Sequence, residues 1–260
     1  MQVQIRCVGL LICGILLVGR TTAQSLLVGI PSADVAKKGH LEYTHESQWG
    51  RGKDGYFKWN SFNFFTYGFS ERTELALSLV NVGWPETRNV ALGAGYKTII
   101  PLGNKPGLFS ERKLAIGQMV YVATGKTPSV ARDRLGGWVY THLSTRLAPS
   151  RTRLTAGLSY GSSHVFGFRY GSIAGMDGIA ESSPPLVANT PFCFIGGLEQ
   201  PLSRHISLIV DWFSGRHDLA AVIPAVQLNL GKQVLILGYK RANDQHHDTN
   251  ALVTELMIHF

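Results

Sequence analysis

Ala251-Leu252-Val253-Thr254-Glu255-Leu256-Met257-Ile258-His259-Phe260 brings the chain to its end. Successive side chains of an extended strand point to opposite faces. Leu252, Thr254, Leu256, Ile258 and Phe260 therefore share one face, and Val253, Glu255, Met257 and His259 the other. The first face is almost wholly apolar and finishes on an aromatic ring, while the second carries an acid and an imidazole. The segment has about the 9–11 residues with which a tilted strand crosses a hydrocarbon layer. In hydrocarbon every backbone amide and carbonyl must be paired, so such a strand requires a sheet closed on itself, the last strand joined to the first.

Working back from this end, the same period-two alternation recurs in His205–Trp212, Arg153–Tyr160 and Thr73–Val80, where Leu75, Leu77 and Leu79 alternate with Glu74, Ala76 and Ser78. Laid out this way, the chain predicts strands near 39–49, 56–68, 73–82, 88–100, 112–123, 135–147, 152–162, 190–200, 204–213, 219–230, 232–240 and 251–260. The expected fold class is all-β, a closed antiparallel transmembrane β-barrel of about twelve strands over 39–260. Apolar residues occupy both parities in 56–68, 112–123 and 232–240, which leaves the inward phase open there. Pro224 sits inside one predicted strand, where it cannot donate to a ladder.

The connections add independent information. With both ends of the barrel chain on one side, that side receives Phe69–Arg72, Pro101–Glu111, Ala148–Arg151, Pro201–Arg204 and Gly231-Lys232, mostly short. The other side receives the longer ones, including Ser163–Asn189, in which Phe166, Phe168, Tyr170, Ile173, Met176 and Ile179 stand among few charges. That loop is expected either to fold over the mouth as a constriction or to pack its aromatics in an extended hairpin. Many aromatics, among them Trp49, Phe57, Trp59, Tyr67, Trp138, Trp212, Phe213 and Phe260, fall toward strand ends.

Ahead of the strands, one charge in Met1–Arg6, an apolar run over Cys7–Val18 and the small residues Thr21-Thr22-Ala23 read as an export signal, residues 1–23, cleaved after Ala23. The run is too short for a membrane helix, which needs about 20 residues, and no longer apolar run follows. Residues 24–38 form a periplasmic N-terminal segment, too short for a plug domain but able to fold inside the barrel. Signal removal takes Arg6 and Arg20, so 25 Lys and Arg fall to 23 against 17 Asp and Glu. The basic excess is dispersed, and with export it argues against a nucleic-acid partner. Of 3 cysteines only Cys193 lies in the mature chain, so no intrachain disulfide is expected.

In their alternation and terminal aromatic, Leu256, Ile258 and Phe260 resemble the last strand of bacterial outer-membrane proteins, which the barrel-insertion machinery reads. Thr254 departs from that pattern. Leu27-Val28-Gly29-Ile30-Pro31-Ser32 and Tyr67-Gly68-Phe69-Ser70-Glu71-Arg72-Thr73-Glu74-Leu75 resemble porin-like exported barrels. The resemblance is to an architectural class of outer-membrane β-barrels and implies no substrate. It implies a bacterial outer-membrane location, outer-membrane lipids as partners, and the insertion machinery as a partner through Phe260.

Chemistry is sparse. His246-His247-Asp248 reads as a polar loop, Gly125-Lys126-Thr127 lacks the glycine-rich run of a phosphate loop, and no metal-ligand spacing occurs, so neither a metal nor a cofactor is expected. His142-Leu143-Ser144 has the spacing of the His-x-Ser pair of some outer-membrane phospholipases, whose pair faces lipid and whose histidine is oriented by an asparagine or acid on the next strand. Here His142 and Ser144 share the inward parity of Arg146, and 152–162 offers no such partner, so the pair is read as non-catalytic and no enzyme is expected. Glu42, Glu46, Glu74, Lys97, His142, Arg146, Asp211 and Glu255 are the expected inward set. The expected function is a passive or weakly selective channel for small solutes. The alternatives are a structural or adhesion barrel using external loops, and a lipid esterase.

Overall fold

The computed structural model describes residues 28–51, 57–81, 90–103, 107–123, 135–161, 192–215, 219–243 and 250–260. The twelve strands are β1 (Leu41–Arg51), β2 (Phe57–Gly68), β3 (Thr73–Asn81), β4 (Val90–Pro101), β5 (Phe109–Ala123) and β6 (Leu135–Leu147), followed by β7 (Arg153–Gly161), β8 (Phe192–Pro201), β9 (Ile206–Phe213), β10 (Ala221–Leu230), β11 (Gln233–Ala242) and β12 (Ala251–His259). Each pairs antiparallel with its sequence neighbours, and β12 pairs with β1 to close the barrel. The closing register runs from Glu42↔His259 to Gly50↔Ala251. Beyond it the Phe260 N–H donates to the Leu41 carbonyl at 2.9 Å, and the Phe260 carbonyl lies 2.8 Å from His40 Nδ1.

Alternation therefore locates the strands to within a few residues. The largest departure is β5, which starts at Phe109 rather than 112 because a register shift between Ser110 and Lys113 lets the ladder resume below it. Pro224 lies inside β10 after all. It pairs with Val210 on β9, but the pairing with β11 skips from Val222↔Arg241 to Ala225↔Gly238, so the missing amide costs part of one ladder. Leu230 and Gln233 are joined by Gly231-Lys232 alone, and Gly231 takes φ 79°, a left-handed conformation that glycine adopts without a Cβ penalty.

The outward face is greasy over most of its extent: Leu75, Leu77, Leu79, Val120, Val139, Leu158, Leu208, Leu237 and Leu252 are all exposed. A water-soluble barrel does not leave an apolar belt of this extent uncovered. Aromatic side chains border it at both ends, Trp49, Phe57, Trp59, Tyr160, Phe192, Trp212 and Tyr239 at the long-loop end, and Tyr67, Phe69, Phe109 and Phe260 at the short-turn end. Trp138 and Phe213, which the sequence groups with these rings, point inward instead and are buried.

The inside is neither empty nor wholly polar. The segment ahead of β1 folds within the ring, with Val28, Ile30, Ser32, Ala33 and Ala36 almost completely buried. Val28 and Ile30 join an apolar cluster of inward-facing side chains that includes Trp138, Ile209, Phe213, Ile223 and Val253. This explains the undecided phase of several strands: a lumen filled by chain accepts apolar residues on the inner face as lipid does on the outer.

Candidate functional site

Two constellations stand out, one on each face. The inner one is the docking of residues 28–38. Asp211 Oδ2 on β9 accepts the backbone N–H groups of Val28, Gly29 and Ile30 at 2.8, 2.7 and 3.2 Å. Three successive amides converging on one carboxylate oxygen form a small anion nest. Glu74 on β3 bridges segment and wall, Oε2 accepting the Ala36 N–H at 2.6 Å and Oε1 pairing with Lys97 Nζ at 2.9 Å. Asp34 lies 2.6 Å from both Lys113 Nζ and Arg153 Nη1. Burial opposes its ionisation, but Arg153 and Lys113 together outweigh that and hold its pKa below the ordinary value. Where the segment leaves, the Gly39 N–H donates to Gly68 at 2.7 Å.

Around this segment the expected inward set is indeed inward. Glu42, Glu46, Glu74, Lys97, His142, Asp211 and Glu255 are buried, and Arg146, paired with Glu111 at 3.1 Å, is partly so. Glu46 and Glu255 face each other across the β1–β12 seam.

The outer constellation lies on β1 and β2, where the greasy face is interrupted. Tyr43, His45, Ser47 and Trp49 share the outward parity of β1 opposite Phe65, Asn63, Ser61 and Trp59 of β2. Ser47 Oγ is 3.0 Å from His45 Nε2. His45 Nδ1 is 2.8 Å from Asn63 Oδ1, and the Tyr43 hydroxyl donates to the same oxygen at 2.9 Å. Asn63 Nδ2 donates to the Leu79 carbonyl at 3.3 Å, and Trp59 Nε1–H donates to Ser47 Oγ at 3.3 Å. Because Asn63 Nδ2 is spent on Leu79 and Oδ1 receives Tyr43, the atom turned to His45 is an acceptor. That assigns the proton to Nδ1 and leaves Nε2 bare toward the Ser47 hydroxyl.

No family model matches the sequence, and no curated relative is found for it. Among solved structures, an outer membrane channel from Pseudomonas putida F1 is similar at TM-score 0.51 and 10% identity, over 88% of this chain and 98% of that one. The fold is that of a porin-like outer-membrane β-barrel. Weaker likenesses are to the outer membrane protein Omp33 of Acinetobacter baumannii, TM-score 0.46 and 9% identity over 86% and 99%, and the translocator domain of the autotransporter NalP from Neisseria meningitidis, 0.37 and 13% over 86% and 88%.

In outer-membrane barrels short turns are periplasmic and long loops external; here Ser47 lies in the long-loop half of the wall and Asp34 in the short-turn half. His142 and Ser144, the pair weighed from sequence, face the lumen, 1% and 3% exposed. They do not come together: neither His142 nitrogen has a hydrogen-bond partner, and Ser144 Oγ receives Thr155 at 3.4 Å. His45-Glu46-Ser47 has the same spacing and escaped notice, although the inward placement of Glu42 and Glu46 already sets His45 and Ser47 outward. Gly125-Lys126-Thr127, the loop Ser163–Asn189 and His246-His247-Asp248 lie outside the described residues.

Proposed function

We propose that this outer-membrane barrel is a passive or weakly selective channel for small solutes whose route is closed at rest by residues 28–38. The observation that carries the reading is a set of buried, inward-facing polar atoms without a hydrogen-bond partner: both oxygens of Glu255, both ring nitrogens of His142, Oδ1 of Asp211 and Oε1 of Gln227. Each such atom costs about 1–3 kcal/mol in a permanently dry interior. A lumen that fills with water and small solutes hydrates them. The closing segment suits a removable stopper, since it forms isolated bridges, as at Lys38 with Gly68, rather than a sheet ladder, and carboxylates and apolar contacts dock it. The Pseudomonas putida channel supports this through likeness of fold alone.

Single-channel recording in planar bilayers tests it. The full barrel is expected to show brief, small openings, and a variant lacking residues 28–36 sustained conductance. A correctly folded deletion variant that conducts nothing and admits no solute to liposomes overturns the reading.

A further inference from the structure

We propose that His45, Ser47 and Asn63 form a hydrolase site for acyl esters, opening on the external leaflet of the membrane. It uses the face opposite to the channel reading and does not rest on it. The hydrogen bonds form a directed relay: Asn63 Oδ1 fixes the Nδ1–H tautomer of His45, Nε2 accepts from Ser47 Oγ–H, and the Trp59 indole N–H occupies a remaining lone pair of that oxygen. A general base within hydrogen-bond reach of a hydroxyl, itself oriented by a third group, is the geometry that activates a serine.

The location argues against a merely satisfied polar cluster. Outward positions elsewhere on the described strands are mostly leucine, valine, isoleucine and aromatic, and His45 is the one histidine on the outward face of those strands. Leucine and valine at 45, 47 and 63 avoid the cost of placing polar groups against hydrocarbon. Trp49 and Trp59 oppose each other at the external girdle, and Ser47 lies two residues deeper on β1. At a rise of about 3.3 Å per residue and a strand tilt of about 40°, that is roughly 5 Å below the indoles. Interfacial tryptophans sit at headgroup level, so the serine lies at the depth of the ester bonds of an amphiphile.

A second feature points to such a molecule. Directly above, where the long-loop ends of β1 and β2 meet those of β11 and β12, an open groove of about 620 Å³ is lined by Trp49, Arg51, Phe57, Tyr239, Asn250 and Leu252. Its rings and its arginine and asparagine suit the boundary between acyl chain and polar head. The ligand chemistry is therefore an acyl ester of an external-leaflet amphiphile, supplied by a glycerophospholipid or by an acylated saccharide lipid. Ser47 is 3% exposed beneath Trp59, itself 43% exposed and held there by a long hydrogen bond, so rotation of that indole opens the serine.

In the reaction Ser47 Oγ bonds to the ester carbonyl carbon while His45 Nε2 takes its proton. Collapse of the tetrahedral adduct breaks the bond to the alcohol oxygen, which leaves with that proton. Water, deprotonated by the same nitrogen, then attacks the acyl carbon and expels Ser47, which recovers its proton from His45. The sum is ester plus water giving carboxylic acid plus alcohol. Ser47 and His45 are the catalytic residues, and Asn63 is a positioning residue.

The test uses the full-length folded barrel in mixed micelles with diacyl phosphatidylethanolamine in one arm and acylated lipopolysaccharide in the other, read as released fatty acid, together with labelling by a sulfonyl fluoride. Acid release in either arm and a label on the Ser47 peptide are expected, and the arm that responds identifies the lipid. Ser47→Ala and His45→Gln should lose roughly 10²–10⁴-fold. Asn63→Ala should lose activity while Asn63→Asp keeps it and moves the acid limb of the pH profile upward, a shift that a packing role does not produce. Ser144→Ala should match the parent. A folded, heat-modifiable barrel that releases no acid in both arms and takes no label at Ser47 overturns the proposal, as does release that Ser47→Ala retains.

Discussion

Asp211 on β9 holds the backbone N–H of Val28 at 2.8 Å across 183 residues of sequence. With the amides of Gly29 and Ile30 on the same oxygen, this carboxylate is the upper anchor of residues 28–38 inside the ring. Asp211→Ala removes the shared acceptor of three amides, of which those of Val28 and Ile30 are buried and cost about 1–3 kcal/mol each when left unpaired. Open probability in planar bilayers is expected to rise at least several-fold while heat-modifiable folding persists. Unchanged gating in the folded variant would show that the segment is held elsewhere.

The lower anchor is pH-sensitive in a defined direction. Asp34 is held below its ordinary pKa of 3.8 by Arg153 and Lys113 against the opposing effect of burial. A group with a depressed pKa contributes its full docking stability above the undocked value and loses it as pH falls through the docked one. Conductance should therefore stay low from neutral pH down to about 4 and increase in more acid solution. Asp34→Asn should be more open at neutral pH and lack this component of the acid response, as recordings over a pH series will report.

Leu77 stands 61% exposed midway along β3, on the outward face. Arginine placed at the bilayer midplane of a barrel costs about 2–4 kcal/mol. Leu77→Arg should lower the urea midpoint of the barrel folded in vesicles accordingly, whereas Leu202→Arg, in a short turn at the membrane edge, should be nearly neutral. Equal tolerance at both positions would contradict a lipid-facing β3.

Phe260 ties the end of the chain to its start through the Leu41 carbonyl and His40. Deleting it removes two hydrogen bonds at the seam, about 1 kcal/mol each, and a ring of the short-turn girdle. Reduced thermal stability is expected in vitro, and in cells a larger fall in the heat-modifiable outer-membrane fraction, because the insertion machinery is expected to read this residue. Normal accumulation in the outer membrane would remove that role.

Gly157 on β7 opposes His142 on β6. A Cβ at this glycine would meet the Thr141 carbonyl oxygen at 2.1 Å and His142 Cβ at 2.4 Å, both parts of a fixed wall. Gly157→Ala should cost about 1–3 kcal/mol by overpacking, measured as a shift in the unfolding midpoint. A neutral substitution would mean that β6 and β7 separate easily.

Strand positions, and inward parity outside β2, β5 and β11, were legible in the sequence because they arise locally. The two-residue side-chain period of an extended backbone converts Leu75, Leu77 and Leu79, or Leu252, Leu256 and Ile258, directly into a lipid-facing stripe, and turn residues such as Gly231 mark where the chain reverses. Residues 28–38 illustrate what is not local. Their short apolar and polar run suits a free tail or a docked segment equally, and only the convergence of Asp211, Glu74, Lys113 and Arg153 from separate strands docks it inside the ring. The outer constellation fell between the two. Parity along β1 already turned His45 and Ser47 toward lipid, but Phe57, Trp59, Phe62, Phe64 and Phe65 load both faces of β2 and concealed its phase. That phase, and with it the arrival of Asn63 opposite His45, was decided only when the ring closed and the lumen segment showed which apolar side chains face inward, because strand register is fixed by packing on both faces and not by the alternation of either strand alone.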